Sequence, residues 1–174
     1  MKILTLMVGA TLLVASNTSF AKADVDITWE NPKKFRDVQP TMQSRAKFRA
    51  QTFERLEKYM NKLAEGLPEG QTLAITVTNL DLAGRVWPSS FVGLGSGGSE
   101  VRLIKSVDIP RITFSYKLVD SDGTVIQEAE EVKLKDMGFQ TRHNPFFKSE
   151  SLRYEKNMLR RWFNDEFPSL VASN

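Results

Sequence analysis

Residues 110–135 read PRITFSYKLVDSDGTVIQEAEEVKLK, and this stretch decides the fold. Ile112, Phe114, Tyr116 and Leu118 alternate with polar residues, the period-two pattern of a strand with one buried face. Asp120-Ser121-Asp122-Gly123 supplies residues that tolerate the backbone angles of a tight reversal. Thr124 to Lys135 returns as a second strand. Its Ile126, Val132 and Leu134 share a parity that Glu128 and Glu130 interrupt, so a bulge is expected near Ala129.

Working outward, Glu100 to Val107 is expected as a strand, and Thr72 to Thr78 alternates with Leu73, Ile75 and Val77 on one face. Val86 to Ser99 between them reads as a long Gly/Ser-rich loop, either mobile or functional. Val25 to Trp29 is a short first strand, and Asn31-Pro32 opens a loop that runs to Pro40. Thr41 can cap a long helix whose apolar stripe is Met42, Ala46, Ala50, Phe53, Leu56, Met60, Leu63 and Leu67, at spacings of three and four. Gly66 suits its C-terminal end, and Pro68 cannot continue it. Met137 to Lys148 is a loop, and Ser149 or Ser151 can cap a final helix to about Phe167. Leu152, Met158, Leu159, Trp162 and Phe163 share one face of that helix; Arg153, Asn157, Arg160 and Asn164 lie opposite. The order β-α-β-β-β-β-α predicts an α+β two-layer sandwich. Its sheet would be an antiparallel meander, with both amphipathic helices packed on one face.

The N-terminal segment reads as an address. Met1-Lys2 is a short positive region, Ile3 to Ala15 carries no charge, and small residues before Lys22 and Asp24 offer cleavage after Ala21 or Ala23. The apolar run reaches roughly 20 Å as a helix, short of the roughly 30 Å hydrocarbon core of a bilayer. Residues 1–23 are therefore read as a secretory signal peptide. Residues 24–174 are then a single α+β domain, exported to the periplasm, with no transmembrane segment in the mature protein. No Cys follows the apolar run, so a lipoprotein is excluded. The formal charge of +3 owes part of its value to Lys2 and Lys22, and it gives little support to a nucleic-acid partner.

A chain of 174 residues that is 41% hydrophobic supports one globular core rather than two. The absence of Cys excludes disulfides and thiolate chemistry, and a single His excludes a multi-His metal site within one chain. Gly93 to Gly98 matches G-x-G-x-x-G, but an expected strand follows it where a dinucleotide site needs a helix. No cofactor or metal is expected.

Four blocks carry a resemblance. They are Pro32-Lys33-Lys34-Phe35-Arg36-Asp37; Leu67-Pro68-Glu69-Gly70-Gln71 running into Thr78-Asn79-Leu80-Asp81-Leu82-Ala83-Gly84-Arg85; Val101-Arg102 with Pro110-Arg111, Tyr116, Leu118 and Asp136; and Leu152-Arg153-Tyr154-Glu155-Lys156 with Met158-Leu159 and Trp162-Phe163. Together they span nearly the whole mature chain, in order. The sequence resembles domain of unknown function 3016, a family of exported proteins of Gram-negative bacteria. That resemblance implies an address and a single domain, and brings no activity, cofactor or catalytic residue. Asn79 stands where the family pattern leads one to expect Asp, which argues against a carboxylate pair between positions 79 and 81.

Candidate site residues follow from charge in apolar settings. Glu155 falls inside the apolar arc of the last helix, where an unpaired carboxylate costs several kcal/mol. Arg49, Arg102 and Arg111 are its candidate partners in a structural ion pair. Asp81 and Asp136 lie at expected strand ends, where acid–base groups are often placed. The plainer reading of Asp81 is a turn residue accepting backbone N–H groups. His143 reads as a loop residue beside Asn144-Pro145. Residues 33–62 are strongly basic, with Asp37, Glu54 and Glu57 as the only acids. Arg55, Lys58 and Lys62, flanked by Phe48 and Tyr59, form a possible binding face for an unknown envelope protein or an anionic surface. The leading expectation is a non-enzymatic, envelope-associated interaction module. The alternative is a periplasmic hydrolase using Asp81 or Asp136.

Overall fold

The computed structural model describes residues 22–35, 37–94, 99–147 and 151–168. The signal-like segment through Ala21, the glycines 95, 97 and 98, and Ser149 lie outside the described residues. The elements are β1 (Asp24–Trp29), α1 (Arg45–Ala64), β2 (Thr72–Asp81), β3 (Arg85–Pro88), β4 (Glu100–Leu103), β5 (Arg111–Val119), β6 (Val125–Lys135) and α2 (Arg153–Glu166). The α+β class is the one the sequence predicts, and the element order matches except for one added strand, β3.

The sheet is not a pure meander. Its order is β1-β2-β5-β6, with β1 parallel to β2 and the other pairings antiparallel. β1 and β2 are joined through α1, a crossover that brings the chain back in the same direction. β3 and β4 pair with each other as a separate two-stranded ribbon inserted between β2 and β5. The expected loop from Val86 to Ser99 thus opens with a strand, Arg85–Pro88, and a 3-10 turn, Ser89–Val92. The strand expected to reach Val107 stops at Leu103.

The hairpin behaves as its sequence directs. Gly123 takes φ +85 in the turn, and Asp120 N–H reaches Thr124 O at 2.8 Å. Phe114 pairs with Val132 while Tyr116 pairs with Ala129, which places the extra residue of a bulge next to Ala129. Leu73, Ile75 and Val77 on β2, and Ile112, Phe114, Tyr116 and Leu118 on β5, face the helices and are buried. Trp162 of α2 stands edge-on to Phe114 (4.7 Å between ring centres) and to Tyr116 (5.5 Å).

Both helices start later than the sequence suggests. Ser44, not Thr41, caps α1 by accepting from Lys47 N–H at 3.2 Å. Met42 therefore falls outside the helix and is 88% exposed, and Ala46 and Ala50 are exposed as well. The buried stripe is Thr52, Leu56, Tyr59, Met60 and Ala64. In the first turns of α1 Phe48, not the expected Ala46 or Ala50, is half-buried and packs against the core. α2 is entered through Leu152 at φ +60 with no side-chain cap, and the Ser151 hydroxyl instead accepts from Arg55 at 3.0 Å. Asn157, expected on the polar side of α2, is 1% exposed. The loop after β6 folds over that side, and Asn157 donates to His143 O at 3.2 Å.

Candidate functional site

β2 ends at Asp81, and the chain turns through Leu82-Ala83-Gly84 into the ribbon. Gly84 takes φ +77, and a Cβ there would collide with the Leu103 carbonyl oxygen, so only glycine fits. Asp81 and Arg111 are register partners across β2 and β5, and Arg111 donates to Asp81 Oδ2 at 2.7 Å. Asp37, from the loop between β1 and α1, shares a hydrogen bond with the Asp81 carboxyl. Burial, then that hydrogen bond and the Asp81 charge, push Asp37 up to about 6, against the opposing pull of Arg85 and Arg102.

Arg102 stands at the centre of this turn. Its Nη1 donates to Gly84 O at 2.9 Å and Ala83 O at 3.3 Å; its Nη2 donates to Asp37 O at 2.8 Å and Gln39 O at 2.9 Å. One guanidinium thus ties the ribbon to both the turn after β2 and the loop before α1. Glu155 reaches the same turn from α2. It is 3% exposed, and its Oε1 accepts from Ala83 N–H at 2.7 Å. Burial pushes its carboxyl above the usual range, while the Ala83 and Glu155 N–H groups, Arg102 and Arg153 oppose the shift.

Beside this turn lies a cleft of about 350 Å³, walled by α1, the start of α2 and the ribbon. Phe48, Leu82, Ile104 and Leu152 give it apolar walls. Arg55, Arg102 and Arg153 give it positive charge, and Glu155 is the carboxyl group among its lining residues.

The expected partners of Glu155 are distributed differently. Arg111 is taken by Asp81, and Arg102 donates to four carbonyl oxygens while lending Glu155 its charge. Arg49 is half-buried on α1, and among the described residues no ion pair joins it to Glu155. Asp81 meets Arg111 and Asp37 rather than the backbone N–H groups of its turn: that of Ala83 goes to Glu155 and that of Gly84 to Asp108 O. Asp136 is 1% exposed, with Arg161 at 3.1 Å and Arg142 at 3.6 Å, so a buried carboxylate held by arginines does exist, at the end of β6. His143 is exposed, and its carbonyl accepts from Asn157.

The basic face divides. Arg55, Lys58 and Lys62 are exposed on α1 and line an open groove of about 640 Å³ with Lys156 and Phe146. Tyr59 is 6% exposed and packs edge-on to Phe146 at 5.3 Å, so it forms the floor of that groove. Phe48 is half-buried and belongs to the cleft. Among the described residues no group of three or more His, Asp or Glu side chains could hold a metal ion. No helix among them is long and apolar enough to cross a membrane.

The family model described as "Protein of unknown function (DUF3016)" matches residues 23–165. The chain belongs to this family. No curated protein and no solved structure matches it. In this DUF3016 member the four blocks that carried the resemblance, far apart in sequence, meet at one place: Asp37 from the first, Asp81 to Arg85 from the second, Arg102 and Arg111 from the third, Glu155 from the fourth. Asp37 is the functional candidate that sequence reasoning missed. It sits in a loop with no periodicity, and nothing in the spacing pairs it with Asp81.

Proposed function

We propose that this DUF3016 protein is an exported, non-enzymatic binding module of the periplasm, which docks on an anionic envelope surface through the groove along α1. The observation that carries this reading is the groove's charge. Arg55, Lys58, Lys62 and Lys156 line it over an aromatic floor of Tyr59 and Phe146. Glu65, the acid at its edge, faces Lys22 at 3.4 Å. A basic face over an apolar floor suits a layer of anionic headgroups. The hydrolase reading has less support. Neither Asp81 nor Asp136 lines the cleft beside the turn, and both are gripped by arginines.

The test is sedimentation with phosphatidylglycerol vesicles against phosphatidylcholine vesicles. Each basic residue near such a surface contributes about 1 kcal/mol. Arg55→Glu/Lys58→Glu/Lys62→Glu is therefore expected to weaken binding to the anionic vesicles at least a hundredfold. Its thermal melt should stay close to wild type, because the three side chains are exposed. Equal wild-type binding to both vesicles, or unchanged binding by the triple variant, would sink the proposal.

A further inference from the structure

We infer that the cleft between α1, the start of α2 and the ribbon is a binding site for a small anionic amphiphile, a single apolar chain ending in a carboxylate or similar head. It deepens the envelope-docking reading, with which it shares Arg55, by naming a ligand for the neighbouring site.

The size fits first. A volume of about 350 Å³ lies at the lower end of the roughly 300–1,000 Å³ range of small-molecule sites. The walls fit next. Phe48, Leu82, Ile104 and Leu152 come from four separate segments and turn apolar atoms toward one space. Leu152 stands there at φ +60, a conformation that a leucine rarely adopts and that clusters where side chains are held for binding.

The charge decides the sign of the ligand. Arg55, Arg102 and Arg153 line the cleft against one acid, Glu155. Arg102 is fixed behind the wall by four carbonyl oxygens, so its charge cannot swing away. Arg153 is held by Phe147 O at 3.0 Å and lies over the rings of Phe147 and Tyr154. Arg55 is exposed beside Ser151, where it can meet a head group. Glu155 spends its Oε1 on Ala83 N–H, and burial pushes its carboxyl above the usual range. An apolar chain with a cationic head would meet three arginines; a bare anion would leave the apolar walls in water.

The test is calorimetric titration of the mature protein with decanoate, below its micellar concentration. Acetate and decyltrimethylammonium serve as the chainless and the oppositely charged probes. Saturable binding of decanoate alone is the expected result. Leu152→Asn keeps a residue that tolerates the left-handed conformation while making the wall polar, and it should weaken decanoate at least tenfold without lowering the melting temperature. Lys58→Glu/Lys62→Glu lies outside the cleft. It should leave decanoate affinity within twofold of wild type while weakening vesicle binding, so the two proposals fail separately. Displacement of decanoate by phosphatidylglycerol vesicles would assign the chain to a bilayer lipid; persistence of the complex would assign it to a free acid. No decanoate binding by wild type, equal binding of decyltrimethylammonium, or an unaffected Leu152→Asn variant would overturn the inference.

Discussion

Glu155 lies on an apolar helix face because it has a backbone N–H to serve. Its Oε1 satisfies Ala83 in the turn after β2, and Arg102 sits near enough to lend charge. Glu155→Ala strands that buried N–H, and the expected loss is about 1–3 kcal/mol. Glu155→Gln keeps the acceptor and should cost less; thermal melts of the two variants rank them. Equal melts for both would remove the hydrogen bond from the explanation. Asp37 carries a pH signature. Its folded value of about 6 is above the usual 3.8, so its contribution to stability is full below pH 3.8 and is lost as pH rises through about 6. Asp37→Asn cannot ionise and keeps a donor for Asp81. The melting temperature of wild type relative to Asp37→Asn is therefore expected to fall between pH 4 and pH 7. A difference that stays flat across that range would show that the two carboxyl groups are not coupled. Burial of Glu155 was legible in its position within the helix. Its partner was not, because the Ala83 N–H is set by how the chain turns after β2.

At the scale of elements, the ribbon is held to the body by Arg102. A lysine offers a compact charge in place of a planar fork and cannot serve four carbonyl oxygens in two directions. Arg102→Lys is expected to cost roughly 2–4 kcal/mol. Urea unfolding measures that loss. Hydrogen exchange should localise it, with faster exchange in residues 37–44 and in β3 than in β5. Uniform exchange with an unchanged urea midpoint would contradict the role given to Arg102. The hairpin of β5 and β6, with its turn and bulge, followed from the residues directly, since each feature is a local preference of Asp, Gly or a run of glutamates. The start of α1 did not. Thr41 and Ser44 are both competent caps, and the choice between them rests on where the preceding loop is pinned, at Asp37 and Gln39 by Arg102.

For the whole molecule, the export proposal predicts a mature chain starting at Lys22 or Asp24, recovered from the periplasmic fraction. Intact mass and fractionation check this, and a membrane-embedded species retaining Met1 would refute it. β1 begins at Asp24, so neither cut removes a residue of the sheet. The sequence by itself determined the α+β class, the order of every element but β3, the inward faces of β2 and β5 and the apolar face of α2, because alternation and 3.6-residue periodicity are written in neighbouring residues. Only the tertiary structure decided that β1 runs parallel to β2, that β3 and β4 leave the sheet as a ribbon, and that Asp37 meets Asp81. Those outcomes depend on which distant segments share space, and a hydrogen bond or a charge contact leaves no period in the chain. The same reason moved the buried carboxylate held by arginines from Glu155 to Asp136. Each residue announced only that it needed a partner, and the packing of α2 against the turn and the loop after β6 chose which partner it found.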